Sequence, residues 1–102
     1  MLGLTDSALI FRQAGRQNGA PQWETIGAPC ACRVEPAHAH RFSGNSVEQI
    51  ADTRIFVSGA SCMPGDRILV NARTYIAVQV NEMRAFGRTH HLEIFCKAVD
   101  DA

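Results

Sequence analysis

The sequence has no excess of either charge, only one lysine, no apolar run long enough to cross a bilayer, and none of the glycine-rich or paired-carboxylate motifs that organise catalysis. Each absence removes a class of function. Ten basic and ten acidic side chains cancel, which argues against a free-standing nucleic-acid binder, because that affinity comes mostly from neutralising phosphates. A membrane-crossing helix needs roughly 18 to 20 apolar residues, and Met1 to Ile10 carries Asp6 and lacks the basic opening of a signal peptide. The expectation is a protein made in the cytoplasm with no membrane partner. A chain of 102 residues can build one ordinary core, so a single domain over 1–102 is expected. The four cysteines, Cys30, Cys32, Cys62 and Cys96, have no oxidising compartment to pair in and read as reduced thiols.

What is present is alternation. Apolar positions recur with period two in short runs separated by Gly, Pro, Asn or Asp, and no helical period recurs, so the fold class is all-β: a small barrel or sandwich of about five to seven short, mostly antiparallel strands. Asp6 to Gln13 is a first strand, followed by a loose polar stretch, Ala14 to Gln22, after which Trp23 returns to the core. Cys30 to Glu35 places Cys30, Cys32 and Val34 on one face and Ala31, Arg33 and Glu35 on the other. From Pro36 to Asp52 the pattern dissolves, leaving a long loop over about 36–52 in which only Val47 to Ala51 suits a helical turn; loops of this length usually have a function or are disordered. Arg54 to Ser58, Arg67 to Val70 and Thr74 to Asn81 follow as strands. In the last of these Ile76, Val78 and Val80 share one face and Tyr75, Ala77 and Gln79 the other. Glu82 to Arg88 reads as a loop, and His90 to Ala98 as a closing strand with Leu92, Ile94 and Cys96 inward. Nine of the ten cations are arginine, the cation favoured in planar pairing at interfaces.

Cys30 and Cys32 followed by His38 and His40 have the composition of a structural zinc site. Their spacing does not fit, because alternate strand positions point side by side, so the reading is two small buried apolar thiols and two loop histidines, with no cofactor or metal required. A thiol enzyme would need an imidazole held against a sulfur, and His90 or His91 would reach Cys96 or Cys62 only through the accident of folding. No enzyme is expected, and no catalytic residue is named.

From Asp52 onward the order of segments resembles the head-closure, or stopper, proteins of the head-to-tail connector in long-tailed bacteriophages. The segments are Asp52-Thr-Arg-Ile-Phe-Val57, Met63-Pro-Gly-Asp-Arg-Ile68, Asn71-Ala-Arg-Thr-Tyr-Ile-Ala-Val78 and His90-His-Leu-Glu-Ile-Phe95. Arg73 stands in a turn where such proteins more often carry glycine, and Cys30 and Cys32 are no part of the pattern. The resemblance implies a virion protein assembled in the bacterial cytoplasm, one that forms or joins a ring below the portal, retains packaged DNA and docks the tail. The implied partners are a portal or adaptor ring, a tail completion protein, further copies of the chain and, non-specifically, the packaged DNA. Arg41, Phe42 and Asn45 are then the candidate channel contacts in the long loop, and Arg84, Phe86 and Arg88 the candidate interface residues. The alternative is a soluble β-barrel binding module, zinc-stabilised through Cys30, Cys32, His38 and His40.

Overall fold

The structure is a computed structural model that describes residues 6–43, 46–84 and 90–99, with side chains described except at positions 17, 38–43, 46–50, 84 and 90. Seven strands follow one another: β1 (Asp6–Gln17), β2 (Ala20–Thr25), β3 (Cys30–Ser43), β4 (Ser46–Ser58), β5 (Arg67–Val70), β6 (Arg73–Arg84) and β7 (His90–Ala98). Every pairing is antiparallel, in the order β2-β1-β3-β4-β7-β6-β5, and β5 returns to pair with β1. Six strands therefore close a barrel, and β2 lies outside it, hydrogen-bonded to β1 alone among the described residues.

The inward face follows from strand periodicity. Ala8 and Ile10, Cys32, Ile55 and Val57, Ile68 and Val70, Tyr75 and Ala77, then Leu92, Ile94 and Cys96 are all buried in one cluster. Alanine and cysteine at four of these positions leave room for the isoleucines in so narrow a barrel. The seam between β1 and β5 is short: Ala8, Leu9, Ile10 and Phe11 face Val70, Leu69, Ile68 and Arg67.

Three expectations change. The stretch 14–22 is a hairpin rather than a loose connection, turned by Asn18 and Gly19, both at positive φ (54° and 80°), with a register shift between Gln13 and Gly15. That is the backbone twist a two-residue hairpin needs, and Asn-Gly supplies it. Trp23 accordingly sits half-buried on β2 outside the barrel, its ring 4.5 Å from the Arg67 guanidinium, and not in the core. The predicted long loop over 36–52 is strand on both sides, β3 continuing to Ser43 and β4 starting at Ser46. No helical turn forms at 47–51, because those residues pair in register with β3. In β6 a register shift between Ala77 and Gln79 exchanges the faces: Tyr75 and Ala77 point inward before it, and Val80 packs on the core after it.

The turn between β5 and β6 holds Asn71 and Ala72 at φ of 50° and 65°. A Cβ in that region costs roughly 1 to 2 kcal/mol, which asparagine tolerates better than alanine. Ala72→Gly is therefore expected to stabilise the fold by about 1 kcal/mol in urea unfolding with an unchanged denaturant slope. An unchanged or lower midpoint would show that the turn carries no such strain.

Candidate functional site

Registers place the two protruding hairpins at opposite ends of the barrel. β1 pairs with β3 only over Asp6–Ala8 against Cys30–Cys32, and β7 covers β4 only from Thr53 to Ser58. Beyond those limits, among the described residues, β3 and β4 pair only with each other, from Pro36 opposite Thr53 out to Ser43 opposite Ser46, with shifts on either side of Ala39. This two-stranded ribbon leaves the end of the barrel where β7 finishes; the β1–β2 hairpin leaves the other end. The radius of gyration, 14.5 Å, exceeds the roughly 13 Å of a compact chain of about 100 residues, as projecting hairpins require.

Arg41 and Phe42 lie on the outer part of the ribbon, opposite Glu48 and Val47. Their side chains, and Asn45 altogether, are outside the described residues. Arg84 ends β6 opposite His90, at the far end of the barrel, so the two candidate sets are not brought together. Phe86 and Arg88 lie outside the described residues.

The thiols sit in or against the hydrophobic core. Cys32 and Cys96 are buried in the core; Cys30 donates to the Ala8 carbonyl at 3.6 Å, and Cys96 to that of Thr53 at 3.6 Å. Burial raises Cys30, pushes Cys32 up to about 11, and pushes Cys62 and Cys96 up to about 12. All four stay protonated at neutral pH, the state in which a thiol is a poor nucleophile. Among the described residues no three potential ligands gather around a metal-sized space; the side chains of His38 and His40 lie outside those described.

Polar organisation concentrates instead on the outer wall of β3, β4, β7 and β6. Register sets Arg33 beside Phe56, Phe56 beside Glu93 and Glu93 beside Asn81; one step along, Glu35 lies beside Arg54, Arg54 beside Phe95 and Phe95 beside Gln79. Arg54 is the hub, bonded to Glu35 at 2.7 Å, within 3.5 Å of Glu93 and 5.0 Å from the Phe56 ring centre. Arg33 holds the other Glu35 oxygen at 2.6 Å, and Asn81 donates to Glu93 at 3.2 Å. The Arg54 Nε is buried without a hydrogen-bond partner among the described residues. Alternation sets Arg33 and Glu35 on the face opposite Cys32, and Glu93 and Phe95 opposite the inward Leu92, Ile94 and Cys96, but the cluster is not legible in the sequence, because only the strand register says which outward residues meet.

The hydrogen bond from Arg54, helped by the charges of Arg33 and Arg54, outweighs partial burial and holds the Glu35 carboxyl below its ordinary value. A group lowered on folding contributes stability that is present above its unfolded value, about 4.3, and lost as pH falls through the folded one. A carboxyl-detected NMR titration should give Glu35 a midpoint below about 4.3, and Glu35→Gln should flatten the acid limb of the stability profile. A midpoint at or above that value would show the pairs are not held in solution.

At the end of the barrel opposite the ribbon, Ile26, Cys62 and Leu92 with Glu82 line an open depression of about 540 Å³. Ser61 also lines it, and among the described lining residues no histidine or lysine stands beside Glu82, Ser61 or Cys62.

No protein family and no curated protein matches the chain. Among solved structures it is similar to the phage-like element PBSX protein xkdH from Bacillus subtilis, at 13% identity over 88% of this chain and 92% of that one, with a TM-score of 0.38. So distant a likeness says nothing about activity, and the functional reading rests on this chain's own residues. Among the described residues no helix is long and apolar enough to cross a membrane.

Proposed function

We propose that the chain is a structural subunit of the bacteriophage head-to-tail connector, a head-closure protein that forms or joins a ring below the portal, retains packaged DNA and docks the tail. One observation carries the reading: over 36–52 the chain extends as a ribbon whose strand pairing, among the described residues, is between β3 and β4 only, tied to β7 at its base where Asp52 accepts from the Ala98 N–H at 3.2 Å. Two-stranded ribbons are marginal alone in water. Their outer edges also present unpaired N–H and C=O groups to whatever lies alongside. Such an element gains its stability from a neighbour, so its work is contact between subunits.

The remaining features agree. A closed barrel leaves few internal edges and gives the ribbon a rigid base. Repetition round a ring multiplies modest contacts, so a neutral subunit without catalytic groups can help to hold back DNA. Arg41 and Phe42, on the ribbon, are the contacts we assign to the lumen or a neighbour, and Arg84, at the other end of the barrel, is assigned to a subunit interface. The order of segments from Asp52 to Phe95 resembles the same class of protein.

The test is docking. The full chain, mixed with a portal or adaptor ring, should sediment with the ring at a fixed copy number. A chain that sediments alone with every ring and every tail extract offered contradicts the reading.

A further inference from the structure

We draw no further inference here: the strongest candidate, the apolar patch of Leu9, Phe11, Leu69 and Ile76 on the outer wall of β1, β5 and β6, with Arg67 stacked on Trp23 at its edge, is an unpartnered face, and nothing in the structure shows what covers it.

Discussion

Asp66→Ala is expected to lower the melting temperature by about 10 to 20 °C, the result of losing roughly 2 to 4 kcal/mol from a domain of this length. Asp66 is the buried charged residue at the point where the barrel closes, 3% exposed, just before β5. Both of its oxygens are used: Oδ1 accepts from Arg12 Nε at 3.0 Å, and Oδ2 accepts from the Arg12 guanidinium at 2.8 Å and from the Met63 N–H at 2.8 Å. The main chain of the same turn bonds β6, with Gly65 N–H donating to the Ala77 carbonyl and Ala77 N–H to the Asp66 carbonyl, each at 2.8 Å. One side chain therefore ties the turn, and through Arg12 ties β1 to the strand that closes on it.

Alanine leaves the Met63 N–H and the guanidinium without their acceptor, which costs more than the net value of the bonds themselves. Against a typical total of about 5 to 15 kcal/mol this is a large fraction. Asp66→Asn, which keeps one acceptor, should fall between. Thermal melts followed by circular dichroism read the effect. A shift under about 4 °C for alanine would mean that the seam holds without the clamp.

How far the sequence foretold this architecture depends on whether a strand has a core face. β5 and β7 occur where alternation placed them, and Leu92, Ile94 and Cys96 point inward, because one side of each strand is pressed into the barrel. The ribbon has no such constraint over most of its length, so Pro36 to Asp52 shows no apolar alternation and reads as a loop. A quieter signal was available in Gly44-Asn45 between Ser43 and Ser46, a dipeptide suited to a two-residue hairpin turn. Asn18-Gly19 was the same kind of signal for β2, and there the structure shows the positive φ angles it promises.

Other features were out of reach for a different reason. The face exchange at Val78 depends on one extra residue in β6, which only pairing with β7 reveals. The meeting of Arg54 with Glu35 and Glu93 depends on the mutual register of three strands far apart in sequence. Periodicity tells which way a side chain faces, not what stands beside it.

The second large effect concerns the ribbon. Replacing residues 38–50 with Asn-Gly keeps Ala51, which is fully buried, and keeps every pairing that closes the barrel. Among the described residues the strands of the removed ribbon pair only with one another, and the core cluster from Ala8 to Cys96 is built from positions outside the deleted span. Its melting temperature should stay within about 5 °C of the full chain, corresponding to a change of about 1 kcal/mol. Docking, in contrast, should be lost almost completely, because the ribbon's outer edges and the outer residues Arg41 and Phe42 go together. Among known interfaces a few central residues carry most of the binding free energy, so removing a whole contacting element weakens association by at least about a hundredfold.

Both halves of this expectation can be read in one experiment, by sedimenting the folded, shortened chain and the full chain side by side with the portal ring. The full chain is expected to travel with the ring and the shortened one to remain at the monomer boundary. A shortened chain that still saturates the ring would contradict it, as would one whose barrel no longer folds.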